Sequence, residues 1–237
     1  NIDNPATFLY ENLMIQSNVI ESARRAKVKK LLFLGSSCIY PRLSKQPMLE
    51  DYLLRDRLEP TNESYAIAKI SGIKLCHYYK KQYNCNFFSI IPPNIYGPND
   101  NFSLKSSHVV SALIRKIHEA KIAKQKSLTL WGSGIARREL MYNEDLAEGL
   151  ISIMGKNIDF PFFNFGIGND ITIQELAELI KEIINYKGDF SWDNSKPDGM
   201  PQKLMDSSIA HSMGLKAMTS LEIGIKKTYN WFLENES

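Results

Sequence analysis

The segment Tyr65-Ala66-Ile67-Ala68-Lys69 sets a phenol and an ammonium four residues apart. On a helix these positions share a face. A free tyrosine titrates at about 10, and a nearby ammonium favours its phenolate. Such a pair suits proton exchange with a carbonyl and its alcohol. The same spacing also occurs on ordinary amphipathic helices. A second feature points the same way: Gly35-Ser36-Ser37-Cys38 closes the apolar run Leu31-Leu32-Phe33-Leu34. In open α/β sheets ligands bind beyond the carboxyl ends of strands. A serine there can hydrogen-bond a substrate oxygen, or simply turn the loop.

The elements that must position these groups follow from periodicity. Residues 8–26 carry apolar positions at helical spacing, and residues 30–35 fit a parallel strand buried on both faces. A helix is expected from Thr61 or Asn62 to about Tyr83, carrying Tyr65 and Lys69. Residues 87–91 read as another buried strand, ended by Pro92-Pro93. Further helices are expected over 107–123 and from Asn143 or Asp145 to Met154. Two more open at the capping-box candidates Thr172-Ile173-Gln174-Glu175, running to Tyr186, and Thr219-Ser220-Leu221-Glu222, running to Leu233. Short strands are expected over 128–131, 160–165 and 190–192, and a Pro- and Gly-rich loop over 193–203. Alternating strands and helices imply an α/β fold.

Composition narrows the class. The net charge is +3, with Lys and Arg scattered, which argues against a nucleic-acid partner. No apolar run is long enough to span a bilayer as a helix. Cys38, Cys76 and Cys85 fit no metal spacing, and their odd number argues against a disulfide framework. A reducing, cytoplasmic setting without metal is the expectation.

A strand-end serine upstream of a helical Tyr-x-x-x-Lys is the catalytic arrangement of short-chain dehydrogenases/reductases. The segments 31–41 and 58–69 resemble the signature regions of the GDP-L-fucose synthases. So do Asn94-Ile95-Tyr96-Gly97-Pro98 with Asp100-Asn101-Phe102, Ser107-His108-Val109, Trp131-Gly132-Ser133-Gly134 and Ser195-Lys196-Pro197-Asp198-Gly199. They span nearly the whole chain in the family's order.

This resemblance implies an incomplete Rossmann-type parallel sheet with a smaller α/β substrate-binding C-terminal domain. Residues 1–100, with 137–165 returning to them, belong to the NADP-binding part; residues 101–237 mainly hold the sugar nucleotide. It implies an NADPH-dependent 4-reductase and 3,5-epimerase of a GDP-linked 4-keto-6-deoxy sugar. Tyr65 then donates the proton at C4, Lys69 holds the nicotinamide ribose and tunes Tyr65, and Ser36 binds the carbonyl oxygen. Cys38 matches the epimerisation base and His108 its acid. The residue types alone leave Cys38 open to being an inert buried thiol and His108 to being structural. Leu34, Gly35, Ser36, Ser37, Lys69, Pro92, Pro93, Asn94, Ile95 and His108 line the cofactor by the same resemblance. Asn94, Lys116, Trp131, Arg138, Asp198 and Lys203 face the GDP-sugar. Family members are commonly homodimers through the helices expected near 8–26 and 61–83.

Four departures stand out. No Gly-x-Gly-x-x-Gly fingerprint follows any strand. The chain is therefore expected to lack a first sheet half on the order of 70 residues, given at least about 30 residues per βαβ unit. This stretch alone is not expected to bind the cofactor tightly or to catalyse. The run 138–145 differs from the family's usual aromatic, Val and double-Asp sequence. Pro93 stands where Thr is common, and Ser111 replaces a common Pro. These changes keep open a reductase of a GDP-linked 4-keto-6-deoxy-heptose without epimerase activity. A non-catalytic assembly protein is the third reading.

Overall fold

The computed structural model describes residues 4–104 and 106–236. In chain order the elements are α1 (Pro5–Arg25), β1 (Leu31–Leu34), α2 (Glu63–Tyr83), β2 (Phe87–Ile91) and β3 (Asn94–Tyr96). Then come α3 (Val109–Ile122), β4 (Ser127–Trp131), β5 (Arg137–Arg138), β6 (Leu140–Tyr142), α4 (Asn143–Met154) and β7 (Phe162–Asn164). The chain closes with β8 (Ile171–Thr172), α5 (Ile173–Ile184), β9 (Asp189–Asp193), β10 (Gln202–Lys203), α6 (Ser208–Ser212) and α7 (Leu221–Asn235).

A parallel sheet of order β1-β2-β7 carries the site. Its register runs from Leu31 opposite Phe87 to Leu34 opposite Ile90. β2 is buried at every position, as its apolar run predicts. β1 has an equally apolar sequence but is only half-buried, and Leu34 is 37% exposed. Among the described residues β1 is an outer strand of this sheet. Within them, burial at every position is seen for β2.

Long α1 and α2 pack together over β1. Pro5 opens α1, where a missing N–H costs nothing, and Asn84 ends α2 in the left-handed conformation. Gly72 permits their close approach: a Cβ there would lie 2.4 Å from Phe33 Cζ and 2.9 Å from Gln16 Oε1. Gln16 Nε2 in turn donates to Ala68 O at 2.6 Å.

A second core joins α3, α5 and α7 through Ile114, Ile117, Leu176, Ile180, Ile225 and Phe232. The α5 capping box forms as expected, with Thr172 Oγ1 accepting from Glu175 N and Glu175 Oε2 accepting from Thr172 N. The helix ends two residues early, at a left-handed Asn185. The second capping-box candidate does not form. Ser220 is the N-cap of α7 and accepts from Ile223 N, which leaves Ile223 where a box needs Glu or Gln. Thr219 instead donates its N–H and hydroxyl to the buried Asp145 carboxylate at 2.9 and 3.0 Å. The expected loop over 193–203 contains β10, which pairs parallel with β5.

Candidate active site

The site is assembled at the carboxyl end of β1. Gly35 donates its N–H to Ile90 O at 2.8 Å, and a Cβ on it would lie 2.4 Å from Ile91 Cδ1. The chain then leaves the sheet. Ser36 is extended and caps one 3-10 turn, Ser37–Ile39, by accepting from Cys38 N at 3.4 Å. The turn tucks Ser37 and Cys38 inside, each 3% exposed. Tyr40, also buried, fixes the end of this turn by donating to Asn164 Oδ1 at 2.5 Å. The Ser36 hydroxyl also lies within hydrogen-bond reach of the Cys38 side chain.

α2 brings Tyr65 and Lys69 to the same edge. Lys69 Nζ donates to Leu34 O at 2.9 Å. It lies 4.9 Å from the Phe33 ring centroid and 5.6 Å from that of Tyr65. Burial pulls the Lys69 ammonium below its ordinary value, opposed by the neighbouring Cys38. Burial pushes Tyr65 up to about 12, and Cys38 adds to the rise. The sequence leads one to expect Lys69 to favour the phenolate. In this geometry its ammonium is held on a carbonyl oxygen, and Tyr65 is a protonated acid.

Cys38 links the two halves of the site. Burial raises its thiol above the ordinary value; Ser36, then Lys203 and Lys69, oppose the rise. Lys203 thus lies within electrostatic reach of the thiol, and burial lowers its own ammonium. Lys203 also pairs with Arg138 across β10 and β5, next to the segment that carries Asp198. His108 stands exposed at the start of α3, where its side chain does not cap the helix.

Pro92 and Pro93 are buried after β2, and Asn94 and Ile95 are half-buried in β3. Asn94 donates its N–H to Glu139 O at 3.2 Å. Arg138 donates to Met200 O and Asp198 O at 2.7 and 2.8 Å, which ties it to the 198–200 loop. The Asp198 carboxylate accepts from Ser133 N and Ser133 Oγ at 2.8 and 2.7 Å. Trp131 is 63% exposed, which rules out a core role. Lys116 and Lys196 hold their ammonium groups 4.6 and 5.4 Å from its ring centroid. An exposed indole between two cations suits a planar, anionic ligand. Sequence reasoning missed Lys196, although it sits in the motif that contains Asp198. A cavity of about 540 Å³ lies beside these groups, lined by Arg42, Glu59, Thr61, Ile135 and Asp198 among others. None of Ser36, Cys38, Tyr65, Lys69 and His108 lines it.

Among the described residues, no group of three or more His, Cys, Asp or Glu is placed to hold a metal ion. Among them also, no helix is long and apolar enough to cross a membrane. Ser111, in place of the common Pro, donates its hydroxyl to the Asp100 carboxylate.

A Tyr-x-x-x-Lys helix laid against the carboxyl end of a parallel strand, in a chain that also carries a cation-flanked indole, points to a nucleotide-sugar enzyme of the short-chain dehydrogenase/reductase type. The chain belongs to the NAD dependent epimerase/dehydratase family, whose model matches residues 1–166. It is 52% identical over 231 residues to a GDP-L-fucose synthase of Sinorhizobium fredii (strain NBRC 101917 / NGR234), covering 98% of this chain and 74% of that protein. Among solved structures it resembles a GDP-6-OMe-4-keto-L-xylo-heptose reductase from C. jejuni, at TM-score 0.94 and 35% identity, over 100% of this chain and 79% of that one. It also resembles a GDP-L-fucose synthetase from Naegleria fowleri bound to NADP, at TM-score 0.89 and 28% identity, over 98% of this chain and 74% of that one. The likeness to GDP-L-fucose synthases that the motifs carry thus extends over nearly the whole chain.

Proposed function

We propose that this protein is an NADPH-dependent oxidoreductase and epimerase of nucleotide sugars that makes GDP-L-fucose from GDP-4-keto-6-deoxymannose. The observation that carries the reading is the pairing of Tyr65 and Lys69 with the end of β1, where Lys69 Nζ meets Leu34 O above the Ser36–Cys38 turn. The donor set fits a nicotinamide nucleotide. Lys69 has three N–H donors and spends one on Leu34, which leaves two for a ribose diol. Lys69, Leu34, Gly35 and Asn94 would hold that end of the cofactor. When bound, the cofactor supplies the hydride for the carbonyl carbon at C4.

The chain's own residues handle the protons. Tyr65, kept protonated by burial, donates to the alkoxide oxygen forming at C4. Ser36 donates a hydrogen bond to the same oxygen as negative charge develops. C3 and C5 flank the ketone, so their protons are acidic. At each carbon Cys38 removes the proton as thiolate, and His108 delivers a proton to the opposite face. Arg138, Lys116 and Trp131 receive the GDP portion, with charge-assisted bonds to the diphosphate. Residues 1–100, with 137–165 returning, serve as the cofactor-binding part and 101–237 mainly as the sugar-nucleotide part.

The test offers the whole gene product GDP-4-keto-6-deoxymannose with NADPH and reads the product stereochemistry by NMR. GDP-L-fucose is the expected product. Absence of turnover with this sugar overturns the reading. Turnover confined to a GDP-4-keto-heptose, without inversion at C3 and C5, selects the alternative that the C. jejuni likeness favours. The protein is further proposed to be a cytoplasmic homodimer through α1 and α2. α1 exposes Tyr10, Met14, Ile15 and Val19, apolar side chains that a second copy could cover. A monomer in light scattering at micromolar concentration refutes the dimer.

A further inference from the structure

Glu139 is 1% exposed, the most deeply buried carboxylate among the described residues, and no step above uses it. It lies between β5 and β6, next to Arg138. Its Oε1 accepts from Ile167 N and Gly168 N at 2.7 and 2.8 Å, and its Oε2 accepts from Met205 N at 2.9 Å. Its backbone N–H donates to Lys203 O at 3.0 Å, and its carbonyl accepts from Asn94 N at 3.2 Å. One residue therefore binds three separate stretches of chain, 94, 167–168 and 203–205. Two of them carry Asn94 and Lys203, and Arg138 is its own chain neighbour.

The local structure needs such an anchor. β5 and β10 pair over only two positions, Gln202 with Arg137 and Lys203 with Arg138. A ladder that short does not hold its own register. The Glu139–Met205 bond lies two residues beyond Lys203 and clamps the far end of β10. Gly166 makes room for the carboxylate, since a Cβ there would lie 2.2 Å from Glu139 Oε1. Burying a carboxylate is costly unless it is fully hydrogen-bonded. Three backbone donors meet that requirement here, and together they fix the carboxylate's direction.

We infer that Glu139 is a positioning residue, a buried clamp that holds Arg138 and Lys203 at the spacing the sugar nucleotide requires, and so governs substrate affinity and not proton transfer. The inference rests on the GDP-sugar reading of this site. Glu139→Gln is the discriminating variant. It keeps the volume and one acceptor oxygen but turns an amide N–H₂ toward Met205 N–H, setting donor against donor.

Calorimetry on the whole gene product compares GDP and NADPH binding in wild type and Glu139→Gln. GDP should bind about tenfold more weakly, which is about 1.4 kcal/mol, with NADPH affinity within about twofold on the same scale. The KM for the GDP-sugar should rise with it while kcat stays within about threefold, the pattern of lost uniform binding. Gly166→Ala, which displaces the carboxylate without removing it, should give the same split and serves if the Gln variant does not fold. Unchanged GDP affinity, or equal weakening of both ligands, overturns the clamp. A wild type that binds GDP and NADPH but shows no turnover refutes the proposed reaction and leaves the Glu139 comparison intact. A wild type that binds no GDP overturns both.

Discussion

The two proton-transfer reactions assigned to this site should respond differently to pH. Cys38 is 3% exposed, and burial raises its thiol above the ordinary value despite Ser36, Lys203 and Lys69. The thiolate is therefore the minor form at neutral pH. The reactive fraction should then grow about tenfold per pH unit up to the thiol's pKa. Tyr65 is pushed up to about 12, so its donor form stays full across the same range.

The assay uses a His108→Gln background, so that proton return from the opposite face does not enter. Deuterium wash-in at C3 and C5 of GDP-4-keto-6-deoxymannose is followed in D₂O with NADP⁺ present, where no reduction can occur. The rate should rise roughly 100-fold from pH 6 to pH 8, two units at tenfold each. In the otherwise wild-type protein, reduction of sugar epimerised beforehand, started by mixing in NADPH, should stay nearly flat over that window. Cys38→Ser should remove the exchange. A flat exchange profile, or exchange that survives Cys38→Ser, would refute the assignment of Cys38 as base.

Tyr65→Phe should cut reduction by about 100- to 10,000-fold, the usual worth of a positioned general acid, while exchange at C3 and C5 continues. Reduction above a tenth of wild type would remove Tyr65 from its role. Gly72→Ala places a Cβ 2.4 Å from Phe33 Cζ at the α1–α2–β1 junction. Overpacking of this kind costs about 1–3 kcal/mol, so calorimetry should show a melting point lower by about 2–12 °C. An unchanged melting point would show that the junction relaxes freely. Trp131→Ala should leave stability within about 0.5 kcal/mol, since the ring is exposed. GDP affinity should nevertheless fall by about 5- to 150-fold, the worth of one stacked base. Equal GDP binding would show that the indole stacks on nothing.

What the sequence reveals depends on element length. α2 has 21 residues, and its apolar spacing places Tyr65 and Lys69 on one face before any coordinates are known. β2 is read from its unbroken apolar run and is buried throughout. β1 has the same kind of run and is an outer strand among the described residues. A strand's place in a sheet depends on which strands flank it, and apolarity does not encode that. The second capping box fails for a similar reason. Thr219 and Ser220 both carry hydroxyls suited to an N-cap, and the choice falls on Ser220 because Asp145, 74 residues away, takes Thr219.

The site divides along the same line. Its reducing half sits on long elements and a strand end, where type and spacing suffice. Part of its sugar-nucleotide half, Asn94, Arg138 and Lys203, sits on β3, β5 and β10, of three, two and two residues. Such segments are too short to show any period. Their partners are remote: Arg137 pairs with Gln202 and Arg138 with Lys203. Position there is fixed by buried polar groups that look ordinary in a sequence. Asn164 donates to Met48 O and Asp206 O at 2.9 and 3.0 Å and accepts from Tyr40, so it braces the Cys38 turn and the segment after β10 together. Glu139 does the same for the segments that carry Asn94 and Lys203. Both bind mainly backbone, so the segments they hold leave no complementary mark in the sequence. On the proposed assignment, the proton chemistry is legible in Tyr65, Lys69, Ser36 and Cys38, whereas the hold on the sugar nucleotide also rests on a buried residue, Glu139, that touches no ligand.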